Sequence, residues 1–276
     1  MQNDSVAYIK MKKVSVNELF DADDELAVEE PLEINVRYDD NGIQIQKCIS
    51  VTMRTPGNDE ELGAGFLFTE GIVQKRYEIA EVSPDLLACN KVLITLNKNT
   101  QPLLQNGERN FYTTSSCGVC GKSSIDAIRT TSVYKNDADE ICLKAGLFYR
   151  LDDTLIKQQA VFKSTGGLHA SALFDLGGNF IMLREDVGRH NALDKVIGAA
   201  FLNDQLPLSN TILLLSGRAS FELIQKAVMA GIKIVAAVGA PSSLAVQLAE
   251  EAGITLIGFL RDQRFNIYSG GQRIEL

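Results

Sequence analysis

Cys117 and Cys120 stand two residues apart in "TTSSCGVCGKSS", the stretch from Thr113 to Ser124. A Cys-x-x-Cys pair serves three chemistries: a dithiol redox switch, half of a metal site, or an arm that carries sulfur. Gly118 and Gly121 flank Cys120, remove side-chain bulk and open backbone conformations closed to other residues. Lys122 beside the pair, and a helix expected to start near Ser123, both favour thiolate over thiol. Cys89 and Cys142 sit among apolar neighbours, Cys48 lies between the Ile-rich positions of a strand, and all three are read as inert thiols.

The chain has two histidines, His169 in "STGGLHASAL" and His190 in "REDVGRHNALDK". Added to Cys117 and Cys120 they compose a Cys2His2 set, the ligand count of a closed zinc centre. No second Cys-x-x-Cys supports that reading, and no metal ligand is assigned. A zinc deaminase needs H-x-E followed by P-C-x-x-C. Here Ala170 and Ser171 follow His169, Asn191 and Ala192 follow His190, and Ser116 stands where proline belongs, which excludes deaminase chemistry. A thioredoxin-like pair is expected soon after a strand of a βαβ unit. A sulfur carrier needs one thiolate to hold sulfane sulfur and gains from a second thiol that releases it by disulfide formation. On composition alone, redox and carrier chemistry stay level.

The elements that position these residues fall into two rhythms. From Pro31 to Met53 apolar residues alternate around the turn-forming "DDNG" at 39–42, which predicts an antiparallel hairpin. "PGNDEELGAGFLFTEGIV" predicts a helix with Asn58 as N-cap, and "KVLITL" a strand ahead of the cysteine loop. Further on, "TILLLSG", "IKIVAAVG" and "ITLIGFL" are continuous apolar runs of the kind buried on both faces. Two helical patterns, each closed by glycine, separate them, so crossovers and a largely parallel sheet are expected. The fold class is therefore α/β (α+β overall). A β-rich N-terminal region, 1–150, carries the Cys-x-x-Cys loop (113–124), and an α/β domain, 151–276, binds the ligand.

Ligands of open parallel sheets sit beyond the carboxyl ends of the strands. Those ends carry "SGRAS" (216–220), "GAPSS" (239–243) and "FLRDQR" (259–264). Helix N-termini and Arg218, Arg261 and Arg264 suit a phosphate there, although Ser220 and Ser242 also fit as plain helix caps. "REDVGRHNALDK" packs seven polar or charged residues into positions 184–194, more than a helix start requires, and suggests a network that fixes a pocket or a subunit contact. Neither GxxxxGK[ST] nor GxGxxG occurs.

Bulk properties narrow the class further. Net charge is −8 over 276 residues, so no global basic field recruits nucleic acid. The charge is uneven: residues 1–150 hold 16 Lys+Arg and 23 Asp+Glu, net −7, while 151–276 hold 11 and 12, net −1. An anion meets less repulsion in the second half. Five cysteines, an odd number, argue for free thiols rather than a disulfide framework. No apolar run approaches the ~18 residues of a membrane span, and the first residues lack a signal-peptide layout, so a cytoplasmic protein is expected.

Across most of its length the chain resembles the formate dehydrogenase accessory sulfurtransferases, the FdhD family. The blocks that carry the resemblance are "EEPLEINV", "MRTPGNDEELGAGFLFTEGI", "TTSSCGVCGKSSID", "STGGLHASALF", "REDVGRHNALDKVIG", "LLSGRASFELIQKAVMAGI", "VGAPSSLAVQLAEEAGITLIGFLR" and "FNIYSG". The resemblance implies a sulfurtransferase that takes sulfur as a cysteine persulfide from a cysteine desulfurase. It passes the sulfur to the molybdenum bis(guanine dinucleotide) cofactor, bound as substrate, for formate dehydrogenase. It further implies a homodimer and a cytidine-deaminase-like C-terminal domain without the deaminase metal site. Carried onto this sequence, Cys117 matches the persulfide-forming cysteine and Cys120 its partner. Phe259, Leu260, Arg261, Asp262, Gln263 and Arg264 match the cofactor-binding segment, for which a guanine nucleotide is a surrogate ligand. The alternative is a zinc-stabilised cofactor-binding chaperone that transfers no sulfur.

Overall fold

A computed structural model of the chain describes residues 5–84, 90–104, 132–134 and 140–276. Cys89, Cys117, Cys120 and the helix expected near Ser123 lie outside the described residues.

The chain opens with a two-stranded antiparallel ribbon, β1 (Val6–Ser15) and β2 (Glu18–Ala27). Next come β3 (Glu30–Asp40) and β4 (Ile43–Arg54), the hairpin expected around 39–42. The helix α1 (Asp59–Thr69) follows, then β5 (Ile79–Pro84) and β6 (Lys91–Leu96). A four-stranded sheet in the order β4-β3-β6-β5 results. Leu32, Ile34 and Val36 of β3 and Val92 and Ile94 of β6 recur every second residue, so both strands bury one face, packed with Leu62, Leu67 and Phe68 of α1. Asn58 does precede α1, but it adopts a left-handed φ of 59° and its side chain makes no capping bond. Aspartate and glutamates in the first turn answer the helix dipole instead.

The second half adds β7 (Leu143–Lys144), α2 (Ala145–Gln158), α3 (Ala160–Thr165), β8 (His169–Asp175), β9 (Phe180–Asp186), α4 (Arg189–Leu202), β10 (Thr211–Leu215), α5 (Phe221–Met229), β11 (Ile234–Ala237), α6 (Ser243–Glu251), β12 (Thr255–Arg261), β13 (Arg264–Ser269) and β14 (Ile274–Glu275). Six of these strands form one sheet in the order β13-β12-β11-β10-β8-β9. The three apolar runs are its parallel centre, and Gly231 and Gly253 follow α5 and α6 with positive φ, as their C′ positions predicted.

The sheet is mixed rather than largely parallel: only the β10–β11 and β11–β12 pairings run parallel. Loop length accounts for two of the three antiparallel pairings, and the third, β8 with β10, spans β9 and α4. β8–β9 and β12–β13 are joined by tight turns, which can connect only antiparallel neighbours. One face of the sheet packs on Phe148, Leu151 and Leu155 of α2. The other face joins a core that runs on through α4 and α5 to α1 and the four-stranded sheet.

That junction depends on two glycines. α1 crosses α4 with Gly65 against Asp194 and Gly198 against Glu61, so close that a Cβ on either would overlap the partner's backbone. Lys226 Nζ donates to Asp194 Oδ2 and to Thr69 Oγ1, both at 2.9 Å, and Thr69 Oγ1 donates to Asp194 Oδ1 at 2.8 Å. Burial pushes the Asp194 carboxyl up, and Lys226 pulls it back. The same pairing, with Glu70, holds Lys226 above its ordinary value against the burial that would lower it.

Two of the thiols read as inert are not buried. Cys48 and Cys142 are exposed. At the bulge in β4, Ile49 enters the core while Cys48 beside it stays outside. Partial burial, then Glu33, pushes the Cys48 thiol up, which keeps it a poor nucleophile.

Candidate functional site

β10, β11 and β12 end at one edge, and their loops are tied together past the last strand residues. Gly239 N donates to Gly217 O at 3.0 Å and Phe259 N to Gly239 O at 3.1 Å. Ala219 N donates to Ala240 O, and Ser242 N to Ala219 O. Gly239 makes this possible: a Cβ there would lie 3.0 Å from Arg218 N and from Gly217 O.

Antiparallel pairing brings the rest of the site to the same edge. β8 starts where β10 ends, and β9 returns to end beside it, His169 opposite Asp186. α4 begins three residues later. The chain's two histidines therefore meet at one corner. A Cβ on Gly217 would lie 3.3 Å from His169 Nδ1. His190 Nε2 lies 2.9 Å from Glu222 Oε2 and 3.4 Å from Ser220 Oγ.

The framework behind this corner is fully bonded. Asp186, sealed from solvent, accepts from Gly188 N at 2.8 Å, Asn191 Nδ2 at 3.1 Å and Thr55 N at 3.1 Å, and pairs with Lys195 at 2.8 Å. Arg184 donates to Glu61 through Nε at 2.6 Å and Nη2 at 2.8 Å. Glu185 accepts from Val161 N and Phe162 N. The polar density at 184–194 is thus mainly a brace between the halves of the chain. Arg189 is different: its Nε is sealed from solvent with no hydrogen-bond partner.

Electrostatics at the corner follow from this crowding. Burial first, then Arg189 and His190 with a smaller push from Arg218, holds His169 below the usual imidazole range, against a pull from Asp186. Burial pushes the Glu222 carboxyl up, but hydrogen bonding to His190 and its charge outweigh that and leave it below the usual carboxylate value. The two serines separate cleanly. Ser242 caps α6, accepting from Ala245 N at 3.2 Å, whereas Ser220 makes no side-chain cap to α5 and faces His190 instead.

The matched segment 259–264 forms the tip of the β12–β13 hairpin on the same edge, three strand spacings or about 14 Å from the histidines. Its backbone is strained. Asp262 and Gln263 have φ of 51° and 54°, the turn form that Asn-Gly ordinarily fills, and Phe259 in the adjoining bulge has φ 54°. Phe259, Arg261, Asp262, Gln263 and Arg264 are exposed, while Leu260 is 1% exposed and packs into the core. Arg264 Nη2 and Asp262 Oδ2 are 3.9 Å apart, both largely in solvent. Cys117 and Cys120 lie outside the described residues, so their distance from this edge is not part of the site's geometry. Among the described residues, no group of three or more His, Cys, Asp or Glu side chains is placed to hold a metal ion. No described helix is long and apolar enough to cross a membrane.

Residues 27–275 match the FdhD/NarQ family. The chain belongs to that family. It is 50% identical over 256 residues to the sulfur carrier protein FdhD of Mycolicibacterium paratuberculosis, covering 90% of this chain and 91% of that one. The sulfur carrier protein FdhD of Sulfolobus acidocaldarius is 39% identical over 272 residues, 97% of this chain and 98% of that one. Among solved structures, one described as a formate dehydrogenase accessory protein from Desulfotalea psychrophila superposes with a TM-score of 0.72 at 23% identity, covering 98% and 99% of the two chains. At that identity the likeness concerns the fold.

Sequence reasoning found both histidines and the three loops but weighed the histidines as zinc ligands. It missed Glu222, and it had Arg189 only as one member of the polar network at 184–194. The available signal was a serine followed two residues later by an acid at a helix start, which reads as ordinary capping until the topology brings His190 against it.

Proposed function

We propose that this chain is a sulfur carrier for formate dehydrogenase, working as a sulfurtransferase between a cysteine desulfurase and the molybdenum bis(guanine dinucleotide) cofactor. Membership of the FdhD/NarQ family and relatives named sulfur carrier proteins support the reading. The observation that carries the ligand half is the strand-end edge. Arg261 and Arg264 stand exposed there at the tip of the β12–β13 hairpin, and a guanine dinucleotide presents pyrophosphates that such groups bind.

The Cys117 thiolate attacks the terminal sulfur of the desulfurase persulfide, and the desulfurase thiolate leaves with the electrons of the broken S–S bond. The outer sulfur of the new Cys117 persulfide then leaves as sulfide when the Cys120 thiolate attacks Cys117 Sγ. The resulting Cys117–Cys120 disulfide accounts for the two electrons the sulfide carries to the cofactor. Phe259, Arg261, Asp262, Gln263 and Arg264, with the backbone of Leu260, hold the cofactor. The protein works in the cytoplasm as a homodimer, and its C-terminal α/β half is cytidine-deaminase-like in architecture.

The test is peptide mapping by mass spectrometry after incubation with a cysteine desulfurase and cysteine. One extra sulfur on the Cys117 peptide, absent in Cys117→Ala, is the expected result. An unmodified Cys117 peptide from a desulfurase that is itself loaded would contradict the proposal.

A further inference from the structure

The histidine corner has more positive charge than its own residues answer. Arg189 and Arg218 approach it from two elements, and among the described residues neither has a carboxylate within ion-pair reach. Arg189 Nε is buried without a partner, and a sealed donor left unpaired is costly enough to call for a missing acceptor. Ser171, two residues along β8 from His169, likewise holds a sealed hydroxyl with no partner. Two helices begin here, α4 behind Gly188 and α5 behind Ser220, and neither carries a side-chain cap. Their positive ends add to the same field. Glu222 is the nearby acid; it is engaged by His190 and Ser220, and Arg189 acts on it only from beyond ion-pair distance.

We propose that Arg189, Arg218 and His169 form a second anion subsite, separate from the 259–264 hairpin, that takes a phosphate or pyrophosphate group. The subsite goes beyond the sulfur-carrier reading, because it binds its anion whether or not Cys117 carries sulfur. Failure of one leaves the other standing. Arg189 Nε supplies the buried donor, Arg218 closes from the loop, and the uncapped N-terminal N–H groups complete the cradle.

The groups that act on His169 are Arg189 and His190 of α4, Arg218 of the β10–α5 loop and Asp186 of β9. Burial is the first cause of the lowered His169 value, and an anion bound between the arginines offsets the further lowering that Arg189 and Arg218 add. Binding therefore raises the His169 midpoint and takes up a proton, and affinity grows as pH falls through the bound-state midpoint.

Because the chain has only two histidines, their imidazole NMR signals can be followed singly, with His169→Gln giving the assignment. Inorganic pyrophosphate is the probe, titrated into the full chain. The His169 midpoint is expected to rise in the wild type and in the Arg261→Ala/Arg264→Ala variant. Arg218→Gln, which alters an exposed side chain and spares the fold, should bind pyrophosphate at this corner about tenfold more weakly. The His169→Gln variant retains the probe's own titration and should show a shallower pH dependence of binding. A His169 midpoint unmoved by pyrophosphate overturns the proposal. So does equal affinity of this corner in the wild type and Arg218→Gln, or a response lost only in the hairpin variant.

Discussion

At the α1–α4 seam every described cation has an acid: Lys226 meets Asp194 at 2.9 Å, Lys195 meets Asp186 at 2.8 Å, and Arg184 grips Glu61. At the strand-end edge Arg189, Arg218 and Arg261 have none within ion-pair reach among the described residues. The seam is also closed by glycines, and within α1 and α4 no residue has positive φ, whereas the edge holds three non-glycine residues with positive φ within five positions, Phe259, Asp262 and Gln263. A protein that only had to fold gains nothing from unanswered charge and backbone strain. Their concentration in one place separates the part that binds from the part that holds.

Variants can break or sharpen this contrast, and the largest effect belongs to the seam. Lys226→Met strands Asp194 in the core with the Thr69 hydroxyl as its remaining close partner, so chemical denaturation should show a loss of about 3–5 kcal/mol. Gly198→Ala drives a methyl into the Glu61 carbonyl, and the helices must part, at a cost of about 3 kcal/mol by the same measurement. At the edge the sign reverses. Replacing Asp262-Gln263 by Asn-Gly gives the turn the residues it prefers and should raise stability by about 1 kcal/mol. A denaturation midpoint lowered by that exchange would remove strain from the description of the edge.

Much of the fold was legible in the sequence because its two strand types differ in period. Alternation at 31–53 and continuous apolar runs at 211–260 gave the hairpin and the parallel centre. The flanks of the six-stranded sheet were not legible. β8 and β9 lie ahead of the parallel unit in sequence yet pair beside β10, a long-range choice that no local pattern encodes. The misreading of Cys48 had a simpler cause. At the bulge in β4, Ile49 enters the core while Cys48 beside it is exposed, so an apolar neighbour in the sequence was no evidence of burial. For the site, the arginine loops and both histidines were visible, while their meeting with Glu222 depended on the antiparallel return of β8 and β9.

The ligand claim at the edge is tested most directly by titrating a guanine nucleotide into the wild type and the Arg261→Ala/Arg264→Ala variant by calorimetry. The account predicts binding weakened by more than about 2 kcal/mol when both charge-assisted contacts are lost. Equal affinity would contradict it and move the nucleotide elsewhere, for instance to the cavity of about 370 Å³ at the opposite ends of the strands, lined by Tyr134, Lys233 and Ile254.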